Sequence, residues 1–253
     1  MRKILIIGIG AGNPDYVTIQ AVNALNQADV FFIPDKGVEK AALRELRTSI
    51  LERFIKNATY RAVHYKIPQR AGLGENYRTG VDEWHAMLEA NYESLFMHEL
   101  SEGGCGAFLV WGDPTLYDST LRIVEKIRSK GFALEYEVIP GISAVQALAA
   151  QHRIALNRIG ESVLITTGRR LAEGLPDNLG DIVVMLDGEQ TFKKIAAADL
   201  DIYWGAYLGT QDEILVSGKL AEVRDEIERI RSKAREERGW IMDTYLLRKP
   251  EET

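Results

Sequence analysis

The stretch GIGAGNPDYVT, residues Gly8–Thr18, decides the fold class. It follows the apolar run Lys3–Ile7, which is typical of a β-strand, and it precedes helical spacing of apolar residues from Ile19. The glycines ahead of Pro14 let the backbone come close to a ligand or a neighbouring element, because no Cβ stands in the way. The stretch therefore predicts a strand, a tight glycine turn and a helix, with Thr18 as the expected N-cap.

This glycine turn departs from the dinucleotide-binding fingerprint. That fingerprint reads G-x-G-x-x-G after a first strand, and Asn13 stands where its third glycine belongs. Pro14 also lacks an N–H at a point where backbone donors would approach the phosphates. Asp35 ends the second predicted strand and could bind a ribose, so a nicotinamide-dependent oxidoreductase stays open as an alternative of a different class.

Two later stretches repeat the pattern of strand, turn and helix. WGDPTLYDST (Trp111–Thr120) follows the uncharged run Ala107–Val110, and PGISAVQALAA (Pro140–Ala150) follows the predicted strand Leu134–Ile139. An uncharged strand is expected at the centre of a sheet, buried on both faces. Ligands collect outside the carboxyl ends of strands in open α/β sheets, which makes Asp113 a candidate ligand-binding carboxylate. A cap or Asx-turn is the alternative role for Asp113, and an N-cap is the alternative role for Ser143.

The order of predicted elements indicates two α/β domains, 1–141 and 142–253. Strands and helices alternate through the first half, which predicts a mostly parallel sheet. The second half has predicted strands at Ser162–Thr166, Asp181–Leu186, Ile202–Leu208, Glu213–Lys219 and Trp240–Leu247, with helices at Gln190–Ala198 and Ala221–Glu237.

Composition narrows the class of protein. The 253 residues are 46% hydrophobic and 27% charged, and no apolar run reaches the roughly 20 residues of a membrane span. The net charge of −6 argues against a nucleic-acid partner held by phosphate contacts. Cys105 is the only cysteine, and the histidines have no ligand spacing, so neither a disulfide nor a metal site is expected. A cytoplasmic location without membrane contact is expected, since no targeting segment is recognisable.

The three turns, together with RIALNRIGESVLITTGRR, IYWGAYLGTQDEIL and GWIMDTYLLR, resemble the tetrapyrrole methylases across nearly the whole chain. This family transfers a methyl group from S-adenosylmethionine to carbon atoms of corrinoid precursors and leaves S-adenosylhomocysteine. The resemblance implies two α/β domains with the cofactor in the cleft between them, a tetrapyrrole substrate and a homodimer. It is closest to members that remove an acetyl group as they methylate. We expect the three turns to converge on the bound cofactor.

The resemblance also implies individual roles. The residues it assigns to the cofactor are Pro14, Trp111, Gly112, Asp113, Leu116, Tyr117, Ser143, Ala144, Met185, Ala206 and Tyr207. Methyl transfer needs no nucleophilic side chain, because alignment of donor and acceptor supplies much of the rate. Loss of an acetyl group needs water positioning and proton transfer, for which Asp113, Tyr117 and Asp118 are the catalytic candidates.

A polycarboxylate substrate needs nearby cations in spite of the acidic net charge. The substrate-binding candidates are the basic residues Lys36, Arg169 and Arg170 and the first-loop glycines Gly10 and Gly12. Solubility of the surface is the alternative role for the three basic residues. The region Lys40–Arg78 is longer than is usual in the family, and it is expected either to select the substrate or to be a tolerated insertion.

Overall fold

The computed structural model describes residues 1–35, 41–56, 59–68, 77–175, 180–195 and 199–250, without the side chains of 41–43, 77–79 and 81. The chain divides into two compact units. The first unit comprises Met1–Gly10 and Pro14–Ile142, and the second comprises Ala11–Asn13 and Ser143–Thr253. Each unit has its own five-stranded sheet and its own buried core.

The first unit is a parallel sheet with helices. Its strands are β1 (Arg2–Gly8), β2 (Val30–Asp35), β3 (Arg61–Lys66), β4 (Cys105–Val110) and β5 (Leu134–Ile139), and its helices are α1 (Ile19–Leu25), α2 (Ala41–Phe54), α3 (Tyr77–His98) and α4 (Thr120–Ser129). The strand order is β3-β2-β4-β1-β5, and every neighbouring pair is parallel. The predicted parallel sheet is confirmed, and the uncharged strand β4 is its central strand.

Strand β1 shows why this sheet is covered on both faces. Ile4 and Ile6 pack in one buried cluster with Phe108, while Leu5 and Ile7 pack in another. A strand with apolar side chains on both faces is stable only where other elements cover both. At the end of the turn that follows, Thr18 accepts a hydrogen bond from the N–H of Ala21 at 3.0 Å, so the predicted N-cap of α1 is confirmed.

The second unit is a mixed sheet. Its strands are β6 (Val163–Thr167), β7 (Asp181–Met185), β8 (Asp201–Ala206), β9 (Ile214–Lys219) and β10 (Asp243–Arg248), and its helices are α5 (Ala144–His152), α6 (Gly168–Leu171) and α7 (Leu220–Arg238). The order is β6-β7-β10-β8-β9, in which β6 and β7 are parallel and the other pairs antiparallel. Across the described ranges, no helix combines the length and apolar character needed to cross a membrane.

The prediction of an α-helix over Gln190–Ala198 is wrong. A short 3-10 helix, Thr191–Lys194, occupies the described part, and residues 196–198 lie outside the described ranges. Gln190 adopts φ +55, a left-handed conformation that no α-helix can contain. The carboxylate of Asp187 also accepts a hydrogen bond from the N–H of Thr191 at 2.6 Å, which favours a tight local turn.

Candidate active site

Three turns meet at the carboxyl edge of the parallel sheet, after β1, β4 and β5. Gly10 and Gly112 form an isolated antiparallel bridge. The N–H of Gly112 donates to the carbonyl of Gly10 at 2.8 Å, and the N–H of Gly10 donates to the carbonyl of Gly112 at 3.3 Å. The first and second turns therefore lie side by side.

The contact between these turns leaves no room for side chains. A Cβ added to Gly141 would lie 2.2 Å from the carbonyl oxygen of Gly112, and one added to Gly8 would lie 2.6 Å from the nitrogen of Gly141. Gly10 and Gly112 adopt φ +81 and +71, a region that favours glycine. Packing and backbone conformation together thus require glycine here. We name Gly8, Gly10, Gly112 and Gly141 the glycine cluster.

Asp113 fastens the second turn to the third. Its Oδ2 accepts the N–H of Gly141 at 2.9 Å, and its Oδ1 accepts the N–H of Thr115 at 2.8 Å and the Thr115 hydroxyl. Burial acts to raise the pKa of Asp113, but these hydrogen bonds outweigh it and hold the pKa below its usual range. Asp113 therefore forms the Asx-turn that the sequence left open as one of its roles. Because a carboxylate has about four acceptor positions, Asp113 can also accept a hydrogen bond from a ligand.

Tyr117 and Asp118 lie at the far end of the same turn. Tyr117 adopts φ +54, and the residue is 42% exposed. Burial raises the pKa of the Tyr117 hydroxyl, which therefore remains a hydrogen-bond donor at neutral pH. Asp118 is half-buried, and its Oδ1 accepts the N–H of Thr120 at 2.7 Å, at the start of α4. Residues held in sparsely populated backbone conformations cluster at functional sites, which makes Tyr117 a candidate for a role there.

The other predicted residues of the first unit border these turns, with one exception. Pro14 begins the 3-10 helix Pro14–Tyr16, and Trp111 is half-buried directly after β4. The N–H of Leu116 donates to the carbonyl of Asp113 at 3.2 Å. Lys36 lies outside the described residues.

The Ser143 side chain caps α5 in the second unit. Its hydroxyl oxygen accepts the N–H of Val145 at 3.1 Å, and Gln146 Oε1 accepts the N–H of Ser143 at 3.1 Å, which completes a capping box. Ser143 is 4% exposed. The helical role that the sequence left open is thus present, and Ala144 is the first residue of the helix.

The end of β7 carries a strained, exposed residue over a buried carboxylate. Met185 ends the strand, and Leu186 follows with φ +54 and 61% of its surface exposed. Asp187 is buried, and its oxygens accept the Tyr245 hydroxyl at 2.6 Å and the Thr191 hydroxyl at 2.9 Å, besides the Thr191 N–H. This network holds the backbone that presents Leu186.

The end of β8 is more enclosed. Ala206 is fully buried, and Tyr207 is 3% exposed with φ +50. The N–H of Tyr207 donates to the carbonyl of Met242 at 2.9 Å, and its hydroxyl donates to the carbonyl of Trp240 at 2.6 Å. The carbonyl of Tyr207 accepts from Thr210. The polar groups of Tyr207 therefore stabilise the unit itself.

The remaining predicted substrate residues of the second unit differ in kind. Gly12 has φ +153, and a Cβ there would lie 2.4 Å from the carbonyl oxygen of Leu208, so packing requires glycine. Arg169 and Arg170 are both exposed on α6, and Arg170 pairs with Glu173 at 2.5 Å. The two arginines can meet an anionic ligand from solvent.

Two residues of the site, Gly141 and Asp187, were not predicted from the sequence. Gly141 was read only as part of a turn, although a glycine after a strand is the same signal that selected Gly10. Asp187 follows β7 and precedes Gly188, and this Asp-Gly pair is an ordinary turn signal that could have found it. Among the described residues, no group of three or more His, Cys, Asp and Glu side chains could hold a metal ion.

Known proteins share the sequence pattern and the fold of this chain. The model of the tetrapyrrole (corrin/porphyrin) methylases matches residues 3–224. A precorrin-6A synthase [deacetylating] from Sinorhizobium sp is 56% identical over 98% of this chain and 96% of its own. The crystal structure of a cobalamin synthesis related protein (CobF) from Corynebacterium diphtheriae has a TM-score of 0.83 and 39% identity, covering 99% of this chain and 100% of that one.

A more distant structure shares the fold. The uroporphyrin-III C-methyl transferase from Thermus thermophilus, complexed with S-adenyl homocysteine, has a TM-score of 0.58 at 17% identity, covering 97% of each chain. The family model spans most of the chain, and the Sinorhizobium relative matches it almost end to end. The chain therefore belongs to the tetrapyrrole (corrin/porphyrin) methylases.

Proposed function

We propose that this protein transfers a methyl group from S-adenosylmethionine to C-1 of precorrin-5 and, as one water adds to the acetyl carbonyl, releases the acetyl group as acetate, which gives precorrin-6A. The observation that carries this proposal is the 56% identity, over 98% of the chain, to a precorrin-6A synthase [deacetylating]. A family member that acts at a different corrin carbon is the alternative. Membership of the methylase family disfavours the oxidoreductase considered from the sequence.

The glycine cluster suits the proposed cofactor. Because these glycines pack backbone against backbone, the ends of three strands and their turns come together at one edge of the sheet, where open α/β sheets bind ligands. Asp113 stands beside that backbone with acceptor capacity for the amino or hydroxyl groups of such a ligand. When bound, S-adenosylmethionine supplies the methyl group from its sulfonium. In this proposal Trp111, Gly112, Leu116 and Tyr117 contact it from the same turn.

Residues outside this turn are proposed as cofactor contacts on the family resemblance. They are Pro14 in the first unit and Ser143, Ala144, Met185, Ala206 and Tyr207 in the second. Since the side-chain hydroxyls of Ser143 and Tyr207 bond within their own unit, their proposed contribution comes from the shape of the backbone.

The chain's own residues divide the chemistry between them. Methyl transfer needs mainly the alignment of donor and acceptor. Correct alignment can lower the barrier by up to about 7–11 kcal/mol. Asp113 holds the turn, and its lowered pKa makes it a weak base. We therefore assign proton transfer during the loss of acetate to Asp118, and hydrogen-bond donation to the acetyl oxygen to Tyr117.

The substrate is proposed to meet the first-loop glycines and the basic residues. Gly10 and Gly12 border it, and Lys36, Arg169 and Arg170 pair with its carboxylates. The double variant Arg169→Ala/Arg170→Ala should weaken substrate binding and remove its salt dependence. Unchanged affinity at low and high salt would return both arginines to a purely surface role.

One incubation tests the function. Purified protein is mixed with methyl-labelled S-adenosylmethionine and precorrin-5, and methyl incorporation is followed together with acetate release. Equal amounts of both support the proposal, and Asp113→Asn should lose turnover and cofactor affinity. Methylation with the acetyl group retained would assign the protein to a different ring carbon.

A cytoplasmic location and a homodimer are part of the proposal. The family resemblance supports both. Light scattering of the purified protein measures the assembly directly, and a monomer at micromolar concentration would contradict the homodimer.

A further inference from the structure

The carboxyl ends of two strands of the second unit lie at one edge of its sheet. Strand β10 runs antiparallel to both β7 and β8, so β7 and β8 run in the same direction. Met185 at the end of β7 pairs with Thr244, and Ala206 at the end of β8 pairs with Asp243, the neighbour of Thr244. Two of the residues that we propose as cofactor contacts therefore end their strands at the same edge.

The chain leaves both of these strands through a left-handed residue. Leu186 follows Met185 with φ +54, and Tyr207 follows Ala206 with φ +50. This conformation crowds the Cβ of an L-residue against its own backbone, so it costs free energy for most residues other than glycine. Such residues keep it only where the surrounding structure enforces it, and they concentrate at functional sites.

The two left-handed residues differ in what the fold gains from them. Tyr207 is 3% exposed, and its N–H and its hydroxyl both donate to carbonyl groups of the same unit. Leu186 is 61% exposed. Because the hydrophobic contribution to folding scales with the apolar area removed from water, burial stabilises the conformation of Tyr207 far more than that of Leu186.

A buried network enforces the conformation of Leu186. The next residue, Asp187, is 4% exposed, and its carboxylate accepts hydrogen bonds from the N–H and hydroxyl of Thr191 and from the hydroxyl of Tyr245. Arg231, which is also buried, donates to the backbone carbonyl of Asp187 at 3.2 Å. The segment after β7 is thus anchored by buried groups, while the leucine that it carries stays largely in solvent.

The chemistry of a leucine selects the part of the cofactor that it can meet. S-adenosylmethionine has a charged amino-acid end, a sulfonium and a ribose with hydroxyl groups, and burial of such groups is favourable only beside polar or charged partners. Its adenine ring instead offers a flat face, and covering that face with an aliphatic side chain removes apolar surface from water. A side chain on a backbone that is fixed before the ligand arrives also loses less conformational freedom on binding.

We propose that Leu186 is a specificity-determining residue for the cofactor, whose exposed side chain covers one face of the adenine ring and whose left-handed conformation is retained for this contact although it lowers stability. The inference rests on the proposed function, in which S-adenosylmethionine is the methyl donor. It adds a residue beside Met185 that neither the turn signals nor the family resemblance selected.

Two variants of Leu186 and one control separate binding from folding. Leu186→Gly removes the side chain and relieves the conformational strain together, whereas Leu186→Met keeps an apolar side chain of similar size. Arg153→Gly is the matched control, because Arg153 is exposed and has φ +57 at the C-terminal end of α5, where glycine relieves the same strain. Isothermal titration calorimetry with S-adenosylhomocysteine measures affinity, and thermal melting without ligand measures stability.

Opposite changes in affinity and stability are the expected signature. Leu186→Gly should bind S-adenosylhomocysteine about tenfold more weakly, with a less negative heat-capacity change, since the apolar contact is lost. Its Tm should not fall and should rise by up to about 3 °C. Arg153→Gly should show the rise in Tm with unchanged affinity, and Leu186→Met should stay within about twofold of the parent affinity.

Two results overturn the inference. One is an affinity of Leu186→Gly within about twofold of the parent affinity. The other is a fall in its Tm of more than about 3 °C, which would show that the leucine serves the fold. Should this variant not fold, Leu186→Asn is judged by the same two criteria, because asparagine tolerates the left-handed conformation and carries a polar side chain of similar size.

The proposed function fails in a different way. A parent protein that binds S-adenosylhomocysteine but does not turn over precorrin-5 contradicts the function, and the variants of Leu186 still decide the inference. Full turnover in the parent with unchanged affinity in Leu186→Gly overturns the inference and leaves the function standing. A parent protein that does not bind S-adenosylhomocysteine overturns both.

Discussion

Two aspartates follow buried strands beside a glycine, one in each unit, and their surroundings differ. Asp113 is half-buried and joins two turns through the N–H of Gly141. Asp187 is 4% exposed, and its carboxylate accepts from Thr191 and Tyr245. The difference shows that burial, rather than the local sequence, decides whether such a carboxylate can also meet a ligand.

The second unit adds a further layer around its aspartate. Arg231 donates to the carbonyl of Asp187 at 3.2 Å and forms an ion pair with the buried carboxylate of Asp243 at 2.9 Å. Trp204 donates to the same Asp243 carboxylate at 3.0 Å. This network stabilises the fold, whereas the bonds of Asp113 shape a partly exposed edge. The comparison predicts stability losses at Asp187 and binding losses near Asp113.

The largest effect is expected for Asp187→Ala. Removing the carboxylate leaves the buried N–H of Thr191 and the hydroxyl of Tyr245 without their acceptor, at about 1–3 kcal/mol each, while the Thr191 hydroxyl keeps the carbonyl of Gly168 as acceptor. The unfolding free energy should therefore fall by about 4 kcal/mol. Urea denaturation followed by tryptophan fluorescence measures the loss. A fall of less than about 1 kcal/mol would mean that the network relaxes around the gap.

Gly141→Ala should have the next largest effect. Its Cβ would collide with backbone of Gly112 at 2.2 Å, so the turns must separate. We expect a loss of about 1–3 kcal/mol in stability together with weaker binding of S-adenosylhomocysteine by calorimetry. Gly188→Ala is the control, since nothing lies within 4 Å of a Cβ there. Equal behaviour of the two variants would refute the packing role of the glycine cluster.

Asp113→Asn should give a smaller loss that depends on pH. The charged hydrogen bonds of Asp113 should stabilise the fold by about 1.5 kcal/mol at neutral pH. Because the pKa of Asp113 is lowered in the folded protein, this contribution is present above the unfolded value of about 3.9 and disappears as the pH falls through the folded value. Thermal melting of both proteins from pH 7 to pH 3 should show the gap closing, and a constant gap would contradict the assignment.

The smallest effect is expected for Thr115→Val. It removes the hydroxyl that donates to Asp113 and keeps the side-chain shape, at a cost of about 0.5–1 kcal/mol. The pKa of Asp113 should rise, since one of the bonds that lower it is gone. Thr115→Ser retains the hydroxyl and should match the parent in both respects. NMR titration of the carboxyl group makes the comparison.

The edge of the parallel sheet could be predicted from the sequence because its signals are local. The lack of charge in the run that becomes β4 predicted a central strand, and a glycine after a strand predicted each turn. Thr18 and Ser143 are caps that residue type and position alone indicate. The roles of Asp113 stayed open, because only the position of Gly141 in space reveals its second bond.

Other features depend on contacts that no local pattern encodes. Helical spacing over Gln190–Ala198 failed because Asp187 bonds to Thr191 and fixes a tighter turn. The sequence also gave no indication that the N–H and hydroxyl of Tyr207 donate to the carbonyls of Met242 and Trp240, because these residues are distant along the chain. The burial of Arg47, whose Nε donates to the carbonyl of Leu109, could not be predicted either, since an arginine on an amphipathic helix is usually solvated.

The pairing of β1 has a consequence for synthesis of the protein. Strand β1 pairs with β4 on one edge, where Lys3 lies opposite Cys105, and with β5 on the other edge, where Arg2 lies opposite Leu134. Translation proceeds from the N-terminus, so the emerging polypeptide carries an apolar strand with two open edges until both partners have left the ribosome. Protection by a chaperone during that interval would favour correct folding over aggregation.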